Sequence, residues 1–456
     1  MTDERLKLIK TAVAEKKAEY GSVRISRLKI SNYKFFFGDF ELDFNGGNVL
    51  IYGENGSGKS SIYKALSFLA KDKFKSITSD RNIFCEGNEP QIEFAFTNGR
   101  ELIIDSDLME LPDSVSFLKG LSVFSPMLDY KKLLRVHYAH GINGDAINVY
   151  SMLSDIFKDY AVEKKGKLSN ISDFMEYFDT LKKIVNGDLL SEINSLIRFF
   201  NDDFKIIKFN FRMEKKEDGN PEPVVNIDID FKDNQIAYYH SFLNEARLSA
   251  LAISIYFACI RKLISTIGGG CLKILVLDDL LISLDMSNRQ KLLEILKTTF
   301  TDFQIFFFTH DKELFELYKD KLPWVKYELY LDDSTEIPNV IKKVSSSFIE
   351  RAKEYYSKKD YDCCANLLRK EFEKMLKAHL TPKEQRDDKC NELDLAGKIR
   401  MAILKNRGET KTILEKLNSD RKNILNPLSH DDDRNVYSPE IKLAISDLEK
   451  LKAMLK

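Results

Sequence analysis

The sequence lacks an excess of charge of either sign. Lys and Arg total 70 and Asp and Glu total 71 among 456 residues, a net charge of −1. That excludes a chain that is basic throughout and coats nucleic acid, though it leaves room for a local basic face. Cysteine is scarce and unclustered: the six are Cys85, Cys259, Cys271, Cys363, Cys364 and Cys390, with no C-x-x-C. The adjacent pair Cys363–Cys364 cannot face one metal from a helix, so neither a zinc site nor a disulfide framework is expected. Long hydrophobic runs are missing too. The most apolar helical stretch, residues 248–260, has 13 residues, contains Ser249 and Ser254, and is flanked by Arg247 and Arg261. It reads as a buried core helix rather than a bilayer span. The start, MTDERLKLIK, has no apolar signal core. The expectation is a cytoplasmic protein with no membrane partner. Internal repeats, low-complexity tracts and sustained heptads are also absent.

Chain length and changes in pattern suggest several segments. Residues 1–22 read as a charged helix. Residues 23–111 alternate as strands through 23–52, pass through a glycine-rich loop and helix, and then form a hairpin turning at Asn98-Gly99. Residues 112–202 read as a helical insertion. Residues 203–340 read as the second part of the unit begun over 23–111: 203–240 return to strands, and a helix over 244–265 is stopped by Gly268-Gly269-Gly270. The runs CLKILVLD and FQIFFFTH follow, apolar enough for strands buried on both faces of a sheet. A boundary near residue 340 opens a C-terminal module over 341–456, in which residues 345–456 read as amphipathic helices without a strand.

Gly53-Glu54-Asn55-Gly56-Ser57-Gly58-Lys59-Ser60 fits G-x-x-x-x-G-K-[ST]. The strand NVLIY precedes it, and a helix beginning Ser60-Ser61 follows. The chemistry needs these residue types. Glycines let consecutive backbone N–H groups turn inward around phosphate oxygens. The helix N-terminus adds positive potential. Lys59 can reach β- and γ-phosphates, and the Ser60 hydroxyl can ligate Mg²⁺. A second apolar strand ends in Asp278-Asp279, and a third ends in Thr309-His310-Asp311. Two carboxylates after a strand are by themselves more often a turn, and a lone histidine more often a satisfied core residue. Beside a phosphate loop, however, one carboxylate can hold the hydration shell of Mg²⁺ and the other can orient an attacking water. Ser283-Leu284-Asp285 follows at once.

In this order the motifs resemble the ABC-type ATPases, and within them the RecF/SMC branch. Residues 24–44 are similar to that branch's opening strands, with Asn32-Tyr33-Lys34 in its N-[FY]-[KR] position. The resemblance implies an α/β fold: an ATPase head with a mixed or parallel sheet flanked by helices and antiparallel N-terminal strands. It implies ATP and Mg²⁺ as ligands and Asp278 as the Walker B acid. Asp279 takes the catalytic glutamate position, His310 the switch position and Asp285 the D-loop position. Lys34, Asn244 and Asp285 join the phosphate loop among the nucleotide contacts. It further implies a head-to-tail homodimer, in which the signature of one copy closes over ATP held by the other.

Several residues depart from the family pattern. The signature L-S-G-G-[EQ] falls on Leu243-Asn244-Glu245-Ala246-Arg247. Asp279 is one methylene shorter than glutamate, and misplacement by about 1 Å at a reacting group costs on the order of 10²-fold, so slow hydrolysis is expected. No glutamine stands at the Q-loop; the segment around Asp129 is a stand-in.

The C-terminal helices resemble HEPN-type domains, yet Arg421 and His430 are spaced too widely for that family's ribonuclease pattern, with Asn426 in the nearer position. A short head with a helical tail is similar to ATPase subunits of anti-phage systems that hold a toxic nuclease, which makes an effector nuclease the expected partner. Two alternatives remain: a repair or chromosome ATPase that grips DNA through groups such as Lys71, Lys73, Lys75 and Arg81, and a C-terminal module that is itself an RNase.

Overall fold

The computed structural model describes residues 23–455 except 125, 138–146, 216–220, 237, 268–269, 281–283, 333, 335, 345–346 and 426–436. The expected helix within 1–22, Ser283, Asn426 and His430 lie outside the described residues. The chain divides into two compact units, Met1–Lys343 and Val344–Lys456.

The strands, in chain order, are β1 (Ile25–Ser31), β2 (Asp39–Asp43), β3 (Val49–Gly53), β4 (Gln91–Phe96), β5 (Glu101–Ile104), β6 (Met127–Asp129), β7 (Ala161–Val162), β8 (Gly166–Lys167), β9 (Phe204–Lys215), β10 (Pro221–Phe231), β11 (Asn234–Ile236), β12 (Ile274–Asp278), β13 (Gln304–Thr309), β14 (Val325–Asp332) and β15 (Asn339–Val344). A six-stranded central sheet has the order β15-β14-β3-β13-β12-β6. From β14 to β6 the neighbours pair in parallel. Every residue of β3 and β13 is buried, which is why both segments are almost wholly apolar. An antiparallel sheet, β2-β1-β4-β5, packs against it. The α/β architecture is thus a mixed arrangement with antiparallel N-terminal strands.

One buried polar side chain locks the two sheets together. Gln304, at the start of β13, accepts from the Ile25 N–H (2.7 Å) and donates to the carbonyls of Ile25 (2.8 Å) and Gly47 (2.9 Å). Its amide is fully satisfied, so burial costs little. Phe44 meets Phe306 edge-to-face at 5.1 Å across the same seam, a contact worth about 1 kcal/mol beyond its burial.

Residues 112–202 are mostly helical, but they are not simply an insertion. Met127–Asp129 leave that stretch as β6 and extend the central sheet beside β12. A three-residue strand carries no periodicity to read. The helix Glu245–Ile267 runs close to the expected 244–265, but the expectation that no helix is long enough to cross a bilayer does not hold. It is long and apolar enough, by length and composition, to cross a bilayer. The 13-residue run 248–260 is only its most apolar part. The core nevertheless covers it, and every residue from 248 to 260 is buried. Apolar character all around a helix is what a fully packed core position demands.

The second unit is built separately. The helices Phe348–Ser357, Tyr361–His379, Leu395–Lys405, Gly408–Asp420 and Ser438–Met454 enclose their own core, including Leu368, Phe372, Ile399, Leu417 and Leu448. Ser347 and Glu350 form a capping box, and Asp360 and Asp394 cap the helices that follow them. Among the described residues beyond Val344 there is no strand.

Candidate nucleotide site

The phosphate loop leaves the C-terminal end of β3, deep in the parallel sheet, and enters the helix Lys59–Ser67. Two glycines have physical reasons. A Cβ on Gly53 would lie 2.3 Å from Ser57 Oγ. Gly58 holds φ at +86°, and a Cβ there would meet the Phe36 ring at 2.9 Å. Only glycine meets both the conformational and the steric condition at position 58. The loop, Phe35 and Asp279 line a cleft of about 260 Å³ that includes Glu54, Asn55, Gly56, Ser57, Lys59, Ser60 and Ser61.

The cleft is poised for an anion. Lys59 is buried, and its ammonium bends back onto the carbonyls of Gly53 and Glu54. Burial lowers its pKa, against the opposing pull of Asp279, Asp278 and Glu54. Ser57 Oγ is buried without a hydrogen-bond partner.

The carboxylates stand on neighbouring strands. β12 ends at Asp278, and Asp129 at the end of β6 is its register partner. Asp278 Oδ1 is buried with no hydrogen-bond partner. Burial, then the neighbouring charge of Asp279, pushes its pKa up to about 7. Tyr63, on the phosphate-loop helix, reaches Asp129 Oδ2 at 3.5 Å. Among the described residues, no group of three or more His, Cys, Asp or Glu is arranged to hold a metal unaided. Mg²⁺ takes one or two protein oxygens and completes its octahedron with phosphate and water, so it does not need such a group. The orphaned oxygen of Asp278, within charge range of Lys59 and Tyr63 on the phosphate-loop helix, fits such an ion.

Asp279 sits at φ +50° and lines the cleft. Its Oδ1 accepts from the His310 backbone N–H (2.9 Å) and lies 2.8 Å from His310 Nδ1. The expected base and the expected switch histidine are therefore in contact. Asp285 lies apart from them and caps the helix Met286–Thr299 through the Asn288 N–H at 2.8 Å. Arg289 on that helix pairs with Asp311 at 2.6 Å, tying the helix to the corner after β13.

Three expected contacts are not brought to the cleft within one chain, Asp285 among them. Asn244 is exposed, does not line it, and accepts from the Arg247 N–H at 3.0 Å at the start of the helix Glu245–Ile267. Lys34 pairs with Asp80, and its neighbour Phe35 is the residue that lines the cleft. Of the basic groups considered for DNA, Arg81 pairs with Glu89 at 3.5 Å and Lys71 lies over the Phe68 ring at 4.0 Å. Sequence reasoning missed Phe35, Phe36 and Tyr63. The aromatic run after Lys34 was the available signal for the first two.

Comparison with known proteins adds the following. A family described as AAA domain matches residues 27–453. Among solved structures, the SMC head bound to the C-winged helix domain of ScpA is similar at 11% identity, over 72% of this chain and 99% of that one, with a TM-score of 0.41. The SMC head domain from Thermotoga maritima is 15% identical over 71% of this chain and 100% of its own, with a TM-score of 0.35. The SMC head with an extended coiled coil bound to the C-terminal domain of ScpA, from Pyrococcus furiosus, is 12% identical over 74% and 99%, with a TM-score of 0.37. No curated protein matches significantly.

Proposed function

The chain belongs to the AAA-domain family, and we propose that it is a slow, Mg²⁺-dependent ATPase of the RecF/SMC-like kind whose nucleotide-dependent self-association controls a partner protein. The observation that carries the nucleotide part is the buried, unpartnered Asp278 Oδ1, at the end of β12 on the edge of the parallel sheet that also bears the phosphate loop.

The residues divide the work. Backbone N–H groups of Gly56 to Ser60 and the helix N-terminus cradle the phosphates. Lys59 exchanges two carbonyls for phosphate oxygens. Ser60 and Asp278 would hold Mg²⁺, which would offset the charge that grows in phosphoryl transfer. Asp279 positions a water and takes its proton on Oδ2, while His310 fixes the carboxylate through Oδ1.

Asn244 supports a head-to-tail homodimer, because its exposed amide does not reach its own chain's cleft and is open to a second copy's nucleotide. The separate C-terminal unit offers a docking module. With the resemblance to anti-phage ATPases, this favours an effector nuclease as the controlled partner. All six cysteines are unpaired, as a reducing cytoplasm favours.

Sedimentation of the purified protein tests the reading. ATP is expected to drive wild type into dimers, and Asn244→Arg to stay monomeric while binding ATP normally. An Asn244→Arg variant that dimerises like wild type overturns the head-to-tail arrangement. Mass spectrometry of protein isolated from its native cells identifies the partner; recovery without any nuclease removes that part of the proposal.

A further inference from the structure

We propose that the first unit carries a second ligand site: a cavity beside β6 that takes a small amphipathic anion with an apolar body. The cavity is about 320 Å³, within the range of roughly 300–1,000 Å³ for small-molecule sites. Protein interiors are otherwise packed nearly as tightly as organic crystals, so a space this large is not ordinary slack. Met127 and Leu128 of β6, with Phe124, Ile156 and Ile260, give it an apolar wall. Lys132, Arg135 and Lys158 give it a basic rim.

The charge there is unbalanced. Three cations face a single carboxylate, Asp155, which is already paired with Arg135 at 2.9 Å. Lys132 Nζ donates to the Met127 carbonyl and, among the described residues, lies within ion-pair distance of no carboxylate. Burial lowers its pKa, opposed by the nearby Asp129. A ligand anion would supply the missing partner, and its body would fill the apolar space.

The place in the fold gives such a ligand consequences. The Lys132 N–H donates to Asp129 Oδ1 at 2.9 Å, and Asp129 is the register partner of Asp278. The Lys132 carbonyl accepts from the Tyr256 hydroxyl at 3.0 Å, on the helix that begins after Asn244. A ligand on Lys132 therefore touches the short helix Tyr130–His137, which connects the acidic strand ends with the Asn244 helix. Control of turnover rests on the ATPase reading above; binding itself does not.

Fluorescence titration of the full chain tests the site with two probes, the anionic 1-anilinonaphthalene-8-sulfonate and the neutral N-phenyl-1-naphthylamine. Wild type is expected to bind one of either probe saturably. Ile156→Trp, which fills the cavity, is expected to weaken both at least tenfold; Val123→Phe serves if that variant does not fold. Lys132→Met is expected to weaken the anion about tenfold and leave the neutral probe unchanged. Unchanged binding in a folded, cavity-filled variant overturns the site. Equal loss of both probes in Lys132→Met overturns the anion preference. Binding of a fluorescent ATP analogue in the same variants reports the nucleotide site independently.

Discussion

Asp279 Oδ1 accepts a hydrogen bond from the His310 backbone N–H at 2.9 Å and lies 2.8 Å from ring Nδ1 of the same residue. The left-handed backbone of Asp279, φ +50°, makes this double contact part of a tight corner at the ends of β12 and β13. Strained backbone of this kind concentrates where side chains must be aimed.

The two residues should therefore separate kinetically. Asn in place of Asp279 keeps an Oδ1 acceptor for His310 but loses the proton acceptor. Asp279→Asn is expected to lower kcat by about 10²–10⁴-fold, the range for general-base catalysis, with ATP affinity little changed and ATP-bound dimers accumulating. His310→Ala keeps the backbone contact and should lose less. Phosphate-release kinetics and light scattering measure both; normal turnover in Asp279→Asn would remove it as the base.

Lys59→Met is expected to cut ATP affinity by at least tenfold, since a hydrogen bond to a charged group is worth about 1.5–3 kcal/mol. The same change should leave the ligand-free protein as stable as wild type or more so, because burial opposes the ammonium. Calorimetric titration and thermal unfolding check the two halves. A lower melting temperature together with unchanged ATP affinity would contradict the assignment.

Asp278 makes stability depend on pH. Its folded pKa is raised from the usual carboxylate value to about 7 by burial and by Asp279. A raised carboxyl favours the protonated fold, so its contribution is fully present below about pH 4 and fades as pH rises through about 7. Asp278→Asn is accordingly expected to match wild type near pH 4 and to be more stable above pH 7 in the ligand-free protein. Melting temperatures across that window decide it; a difference that shrinks as pH rises has the wrong sign.

Gly58→Ala combines a strained φ of +86° with a clash on Phe36. It is expected to destabilise the protein by about 1–2 kcal/mol, the scale for an L-residue in left-handed backbone. It should also abolish ATP binding. Phe36→Ala opens space for the methyl group but does not relax φ, so the double variant is expected to remain defective.

The local parts of the site were legible because each is a contiguous pattern. Gly53–Ser60 between a strand and a helix, the apolar run into Asp278-Asp279 and the run into His310 all declare themselves by chemistry at fixed spacing. The strands β14 and β15 left no such signal and went unread. β14 pairs with β3 and supports the phosphate loop, with the Glu54 N–H reaching the Leu329 carbonyl at 3.4 Å.

The sequence by itself determined the α/β class, the phosphate loop and the acidic strand, because residue type and period act over a few neighbours. Only the tertiary structure decided that Asp129 pairs with Asp278, that Phe36 lies under Gly58, and that Asp279 is held by His310. Those relations depend on strand order and on contacts between residues far apart in the chain. They exist only once the central sheet has closed around its buried strands.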